Sequence, residues 1–586
     1  MGPQTRVGDY FHGMKYRSEG EDFREANNRV ASALKDSDEH YHQFRDITGH
    51  QRFMAAGRVQ SAMGSARATT PYNCYVSGTI EDSFVHGEGS IMQRATEAAA
   101  TMRMGGGIGY DFSTLRPRGD IIRKLQSHSS GPISFMAIFN EVCKCVASSG
   151  HRRGAQMGVM RVDHPDIEEF IHAKHNLTAL TGFNLSIAIT DEFMRAVEAG
   201  GDFDLRWGGQ TYSTVDAAAL WELIMRSTWD WAEPGVLFID RINDMNNLWY
   251  CETIAATNPC GEQPLPPFGA CLLGSFNATK YVKHKTAAIA SNRWEFDWAQ
   301  LRADIPPVVR AMDNIVDRAR YPLPQQRAEA LAKRRMGLGV TGMANAGEAL
   351  GFPYGSPEYL EWQEKVLELI AIECYRSSAL LAAEKGPFPL YDAEKYLKGR
   401  FVQERLPEDV VDLIRAHGIR NSHLTSIAPT GTISLTADNC SSGIEPVFDY
   451  ITSRPVNTPS GQELVEVEDY GVREFGVRGR RASEVTAQEH VAVLASAQKW
   501  VDSSVSKTCN MDGSMSWEDF KDLYMTAWRE GCKGCTTFNI DGKRMALLTG
   551  KSDDAEPEAE AVEAPEMAEP GEACYIDLTT GRRECG

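Results

Sequence analysis

No apolar run in this 586-residue chain reaches the roughly 18 residues that a membrane span requires, so a membrane protein of the helical kind is not expected. The N-terminus, Met1-Gly2-Pro3-Gln4-Thr5, lacks the basic-then-apolar pattern of an export signal. Positive charge is scarce: 61 Lys and Arg stand against 80 Asp and Glu, a formal net charge of -19. That balance excludes a non-specific nucleic-acid coat, because such coats release counterions from phosphates with Lys and Arg. It leaves room for a local nucleotide site built from backbone dipoles and a few Arg. The 13 cysteines are odd in number and scattered, and no export signal accompanies them. They read as thiols of a cytoplasmic protein, most of them small buried hydrophobes, rather than as a disulfide scaffold. The single CxxC, Cys532-Lys533-Gly534-Cys535, lacks a second ligand pair, so it is read as structural and no metal site is expected.

What is present is an ordinary globular composition, 42% hydrophobic and 24% charged, long enough for a large core. Alternating strand and helix patterns place the chain in the α/β class. Residues 22–36 read as an amphipathic helix. A helix is expected from about Ser90 to Met102. Phe183–Ile189 alternates as a strand, with Thr190 capping the next helix. Val236–Ile239 reads as a short buried strand, and Tyr359–Lys385 as a long helix stopped by Gly386-Pro387. His423–Ala428 reads as a strand running into Pro429-Thr430-Gly431-Thr432-Ile433-Ser434. Hydroxyls and backbone N–H groups opening a helix there make an anion site or a plain Thr/Ser cap.

Asn258-Pro259-Cys260-Gly261-Glu262 organises the rest. The spacing i, i+2, i+4 sets a carboxamide, a thiol and a carboxylate on one side of an extended strand or finger-like loop. A thiol gives up a hydrogen atom, a carboxylate takes a proton, and an amide holds a hydroxyl in place. Those are tools for radical chemistry on a polyol. A Pro-Gly turn with a buried Cys is the plainer reading.

Two other stretches invite function and are read as structure. Gly105-Gly106-Gly107-Ile108-Gly109 ends a helix instead of joining a strand to one, so it is a tight turn and not a dinucleotide fingerprint. His164-Pro165-Asp166 through Glu169 is a helix N-terminal box, and His172 and His175 form a polar helix face rather than a metal site.

Composition changes abruptly at Ser552. Residues 552–573 hold nine acidic side chains and no basic ones, with Ala and Pro prominent among the rest. This is a self-repelling disordered linker, about 70 Å long when stretched at roughly 3.3 Å per residue. It leads to Cys574 and Cys585, two thiols on a long tether that can swing into a deep site, exchange and swing out.

Taken together and in order, these motifs resemble the large or only subunit of ribonucleotide reductases, over about residues 22–545. Asn258–Glu262 resembles that family's catalytic finger loop. Cys271-Leu272-Leu273-Gly274-Ser275-Phe276-Asn277 and Tyr72-Asn73-Cys74 resemble the strands that carry its reducing cysteines. The resemblance implies a ten-stranded α/β barrel with the finger loop through its centre. It divides the chain into a helical region at 1–60, a catalytic barrel at 61–550, the acidic linker at 551–573 and a redox tail at 574–586. The family's optional N-terminal ATP-binding domain would need roughly 90 further residues ahead of residue 22, and an on/off switch by ATP and dATP is therefore not expected.

The resemblance also assigns roles. Cys260 would take the 3'-hydrogen of a ribonucleotide as a thiyl radical, Glu262 would accept the 3'-OH proton, and Asn258 would orient the sugar hydroxyls. One of Cys74 and Cys271 would protonate the departing 2'-hydroxyl, and together they would supply two electrons and become a disulfide. Cys574 and Cys585 would then reset them, and thioredoxin or glutaredoxin would reset the tail. Thr430, Gly431, Thr432, Ile433 and Ser434 would hold the substrate phosphates, with Asn73 beside the sugar. The segment from Asp111 to Arg161 looks like the family's regulatory loops. Asp82, Arg116 and Arg152 are its candidate contacts to a dNTP or ATP effector.

Class I enzymes of the family relay a radical through adjacent tyrosines, where this chain has Thr536 and Thr537. The wording Gly531–Thr536 resembles class II, which implies adenosylcobalamin as cofactor. Formate-driven relatives need neither the Glu nor the tail, and no C-terminal glycyl-radical loop is visible. A class I large subunit with a separate metal-containing partner is the alternative, and a non-catalytic nucleotide-binding or thiol-exchange protein a third. Two departures stand out. Arg58-Val59-Gln60-Ser61 lacks a Thr expected near the substrate phosphate, and Asn73 replaces a Ser found in many relatives. Diphosphate or triphosphate substrate, and monomer or homodimer, stay open.

Overall fold

Helix caps set the pattern of the first fifty residues. Asp22 accepts from the Glu25 backbone N–H while the Glu25 carboxylate accepts from the Asp22 N–H, and this reciprocal box starts the expected helix, Phe23–Leu34. Its Ala26, Val30, Ala31 and Leu34 are buried. The helices Arg6–Tyr16 and Asp38–Gly49 flank it. The computed structural model describes residues 1–123, 125–146, 155–285, 293–458, 461–511, 515–539 and 543, and the two short strands Tyr575–Ile576 and Arg583–Glu584.

An eight-stranded mixed sheet forms the centre of the molecule. Its order is Ala270–Cys271, Cys74–Val76, Gly107–Asp111, Gln156–Arg161, Phe183–Ile189, Gly235–Phe238, Gly534–Asn539 and Thr508–Met511. The run from Cys74–Val76 to Gly235–Phe238 is parallel throughout, and antiparallel pairs flank it on both sides. Parallel neighbours need crossover helices, and Ile91–Arg103, Pro132–Cys145 and Ala217–Trp231 supply them. Strands covered on both faces read as continuous apolar runs, as Val236-Leu237-Phe238 does. A second sheet of three strands joins Phe53–Ala55, Leu273–Asn277 and Gly337–Thr341.

The predicted closed ten-stranded barrel is not present as one continuous sheet among the described residues. The predicted strand at His423–Ala428 is likewise not a regular strand. It makes single bridges only, Leu338 to Thr425 and Ile427 to Val505. Its backbone bonds run to both sides, Ser426 N–H to the Leu338 carbonyl and Ile427 N–H to the Ser504 carbonyl among them, while the Leu424 and Thr425 N–H groups donate to the buried Asp502 carboxylate.

Other expectations hold. Ser90 caps Ile91–Arg103, Thr190 caps Asp191–Ala199, and the long helix runs Pro357–Lys385 with Gly386 at φ +80° after it. The expected box at Asp166 fails. Its side chain caps nothing in the short helix Ile167–His172 and instead accepts from the Arg118 N–H at 2.8 Å. Among the described residues no helix is long and apolar enough to cross a membrane.

Candidate active site

The finger loop is a short hairpin. Ala256–Thr257 pairs with Pro264–Leu265, and residues 258–263 turn between them. Asn258 closes the turn: its N–H donates to the Gln263 carbonyl at 3.1 Å, and its side-chain oxygen accepts from the Gln263 N–H at 2.9 Å. Gly261, at φ +84°, takes the left-handed step that a side chain would resist. Three contacts pin the tip. The Asn184 amide donates to the Pro259 carbonyl at 3.0 Å. The Glu262 carbonyl accepts from the Ser426 hydroxyl at 2.9 Å and from the Ser504 N–H at 3.0 Å. None of these anchors was legible in the sequence, because they sit 75 to 242 residues from their partners.

The glycine run is explained by the same hairpin. Gly107 to Asp111 is a central strand over which the finger passes. A Cβ at Gly109 would overlap the Thr257 carbonyl, and one at Gly107 would lie 3.2 Å from the Pro259 ring and 3.2 Å from the Cys74 sulfur. The glycines serve close approach of two backbones, in addition to the turn that sequence reasoning assigned them.

Asn258, Cys260 and Glu262 are at most 2% exposed. Cys74 and Cys271 lie opposite each other on antiparallel strands, and both are free thiols. Cys260 is held in a disulfide, and neither of those two is its partner. Burial drives the Cys74 thiol up to about 12. The Glu262 carboxylate adds to this, and the Asn258 amide and the Arg58 cation oppose it. Burial raises Cys271 further, with Glu262 and Cys74 contributing. Both thiols therefore hold their protons at neutral pH, as a hydrogen or proton donor must.

Two chambers meet at the finger. One is lined by Ala56, Gly57, Asn73, Cys74, Glu262 and the loop residues Thr430 and Ile433, among others. The Asn73 side-chain oxygen is buried there without a hydrogen-bond partner among the described residues, which marks a place for a ligand donor. Thr430 is in the left-handed region at φ +55°. Its hydroxyl pairs with the Thr341 hydroxyl at 2.9 Å and accepts from the Gly443 N–H at 2.7 Å. Gly431 and Thr432 follow in the first turn of the short helix Gly431–Thr436, where Ser434 is turned inward onto Ser442. The other chamber shares no lining residue with the first. It is lined by Cys260, Ser504, Ser506, Lys507, Cys535 and Thr536 among others. The finger loop thus shows Glu262 to one chamber and Cys260 to the other; of the two forms expected, extended strand or finger-like loop, the loop is found, and its two reactive groups do not share one side.

Asp82 and Arg116 come together away from these chambers, as an ion pair at 3.0 Å, with the Arg116 guanidinium over the Trp207 ring at 5.7 Å. Arg152, Cys574 and Cys585 lie outside the described residues, as does the linker 551–573. The tail strand Arg583–Glu584 pairs with Tyr575–Ile576 and lies against the helix Gly431–Thr436. Cys532 and Cys535 are buried free thiols, and no cluster of His, Cys, Asp and Glu among the described residues could hold a metal ion.

Comparison with known proteins identifies the family. The family model described as ribonucleotide reductase, barrel domain, matches residues 72–479 and 478–538. A vitamin B12-dependent ribonucleoside-diphosphate reductase of Thermoplasma acidophilum is 34% identical over 537 residues, 86% of this chain and 65% of the relative. One of the same name from Mycobacterium tuberculosis (strain CDC 1551 / Oshkosh) is 34% identical over 509 residues, covering 81% of this chain and 68% of that protein. A vitamin B12-dependent ribonucleotide reductase of Streptomyces coelicolor is 26% identical, covering 92% of this chain and 63% of its own length. The chain thus spans about two thirds of the length of these curated relatives. With the family model covering well over half of it, the chain belongs to the ribonucleotide reductase barrel-domain family.

Proposed function

We propose that this protein reduces ribonucleotides to 2'-deoxyribonucleotides by thiyl-radical chemistry, as a class II, adenosylcobalamin-dependent enzyme. The observation that carries the reading is the opposition of Cys271 and Cys74 beside the chamber that also presents Glu262, Asn73 and Thr430. The names of the two relatives at 34% identity favour a diphosphate substrate. The two sheets are read as parts of one ten-stave barrel, supported by the single bridges through Thr425 and Ile427.

The sugar is placed against Cys74 and Glu262, with its phosphates toward Thr430, Gly431, Thr432, Ile433 and Ser434. Asn73 meets the ligand with its buried oxygen. Adenosylcobalamin, when bound, supplies the radical that converts the Cys260 thiol to a thiyl. The hydroxyls of Ser504, Ser506 and Thr536 beside Cys260 would hold its adenosyl end. The Cys260 disulfide must be reduced first. Cys260 then takes the 3'-hydrogen, and Glu262 accepts the 3'-OH proton. Asn258 holds the hydroxyl geometry. Cys74 gives its proton to the 2'-hydroxyl, which leaves as water. Cys74 and Cys271 supply two electrons and become a disulfide, and Cys260 returns its hydrogen to C3'. The net change is one ribonucleotide and two thiols to one deoxyribonucleotide, water and one disulfide.

Cys574 and Cys585 are the proposed reductants of that disulfide, and thioredoxin or glutaredoxin theirs. The position of the tail strand against the phosphate-side helix supports a tail that reaches the site. Asp82, Arg116 and Arg152 are proposed to read a nucleoside triphosphate effector. Anaerobic turnover of a ribonucleoside diphosphate with dithiothreitol, with and without adenosylcobalamin, tests the reading. Turnover only with the cofactor is expected. Turnover only after addition of a metal-containing partner protein would overturn it in favour of class I.

A further inference from the structure

Thr430 borders the chamber that the function proposed above assigns to substrate, and it sits in the left-handed region at φ +55°. A threonine resists that conformation, because its branched Cβ crowds the following carbonyl. Its hydroxyl is the point by which it is held. It accepts from the Gly443 N–H at 2.7 Å and pairs with the Thr341 hydroxyl at 2.9 Å. The Thr341 hydroxyl also donates to the Ser441 carbonyl at 3.2 Å. A carbonyl only accepts, so Thr341 gives its proton to Ser441, and Thr430 gives its own to Thr341. Ionised phosphate oxygens likewise only accept. The Thr430 hydroxyl therefore has no proton left for a phosphate, and this residue can donate to one only through its main chain.

The anchor is built into the sheet. Thr341 ends the strand Gly337–Thr341, which pairs with Leu273–Asn277, and Ser275 of that neighbour lines the same chamber. Just beyond Thr341, the Gly342 N–H donates to the Ser441 carbonyl at 2.7 Å, and the Asn345 side-chain oxygen accepts from the Ser441 N–H at 2.7 Å. Ser441 is thus gripped at both polar groups of its backbone, and Gly443, two residues on, carries the grip to Thr430. A Cβ at Gly443 would lie 2.9 Å from the Ala428 carbonyl oxygen, so the clamp also closes on the chain just ahead of the loop. Thr341, Asn345, Ser441 and Thr430 are at most 5% exposed.

We propose that Thr341 is a positioning residue for substrate phosphate: its hydroxyl, together with the Gly443 N–H, keeps Thr430 left-handed and so sets the main chain of the loop toward the phosphates of a ribonucleoside diphosphate. The inference rests on the function proposed above. It makes the Thr430 hydroxyl a clamp point and not a ligand contact.

Full-length variants are tested with cytidine diphosphate and cytidine as ligands, and with adenosylcobalamin and dithiothreitol for turnover. Thr341→Val is expected to raise both the KM and the dialysis Kd for cytidine diphosphate about tenfold, the usual worth of one buried hydrogen bond, with kcat and the Kd of cytidine unchanged. Thr341→Ser keeps the hydroxyl and holds KM and Kd near those of the unaltered chain. Thr430→Gly is expected to bind cytidine diphosphate about tenfold more tightly than Thr430→Ala, because glycine takes the left-handed turn freely and alanine does not. That comparison decides the matter even where Thr341→Val does not fold. An unchanged Kd for cytidine diphosphate in Thr341→Val, an equal loss of cytidine binding, or Thr430→Gly no better than Thr430→Ala overturns the inference. Failure of the unaltered chain to reduce cytidine diphosphate with cofactor and dithiol overturns the function itself, and is seen before any variant is made.

Discussion

Cys271 stands opposite Cys74 across two short antiparallel strands, one register step from the Ala270–Tyr75 pair. Directly opposed residues hold their Cβ atoms about 4.5–5.5 Å apart, and a disulfide needs roughly 3.5–4.5 Å, so a small approach of the strands closes the bond. In a pre-reduced chain lacking residues 552–586, turnover without external dithiol is therefore expected to stop at one deoxyribonucleotide per chain and to leave a Cys74–Cys271 disulfide, identified by peptide mapping. A product burst without that disulfide would remove the pair from the mechanism.

Gly109→Ala tests the close approach of finger and strand. Its methyl group meets the Thr257 carbonyl, and the hairpin must shift. Stability is expected to fall by about 1–3 kcal/mol, as for other overpacked cores. Turnover falls by about two orders of magnitude, because displacement of a reacting group by about 1 Å costs that much. Urea unfolding and steady-state kinetics on the same sample separate the two effects.

The reducing thiols set an alkaline limit on stability. Folded Cys74 titrates near 12 against 9.0 for an ordinary thiol, so above pH 9 the unfolded chain loses a proton that the folded chain retains. The contribution is complete below pH 9 and declines toward pH 12, by about 1.4 kcal/mol per pH unit for each such thiol. Unfolding midpoints in urea at pH 8, 9 and 10 are expected to fall, and less steeply for Cys74→Ala. An unchanged slope in that variant would show that the thiol is not held protonated.

Removing residues 552–586 deletes the proposed shuttle and leaves the site. Turnover with thioredoxin is expected to disappear while turnover with dithiothreitol persists. Equal loss with both reductants would give the tail a structural role instead.

Arg116→Ala breaks the ion pair with Asp82 and uncovers Trp207. The variant is expected to lose the change in substrate preference that a nucleoside triphosphate produces, as measured by competing two ribonucleotides. A full effector response in Arg116→Ala would place that site elsewhere.

Much of the chemistry was legible in linear order because it depends on residue type and close spacing. Asn258, Cys260 and Glu262 lie within five residues, whereas Cys74 and Cys271 were singled out only through the family resemblance. Capped helices such as Phe23–Leu34 and Pro357–Lys385 were equally readable, since caps and stops are local. The Asp166 box misled because a distant donor, the Arg118 N–H, took the carboxylate first. At 423–428 the expected strand is reduced to single bridges, with two of its N–H groups taken by Asp502.

By itself, the sequence determined which groups this protein can bring to a reaction: three cysteines, a carboxylate and an amide in a family order, and a tethered thiol pair. Tertiary structure alone decided which of them face each other. It opposed Cys74 to Cys271, divided Glu262 from Cys260 between two chambers, and used glycines to let a hairpin cross a strand. The physical reason is range. Residue chemistry and caps act within a few positions of the chain, whereas burial, register and the field of Glu262 and Arg58 on one sulfur arise only when segments some 200 residues apart are packed together.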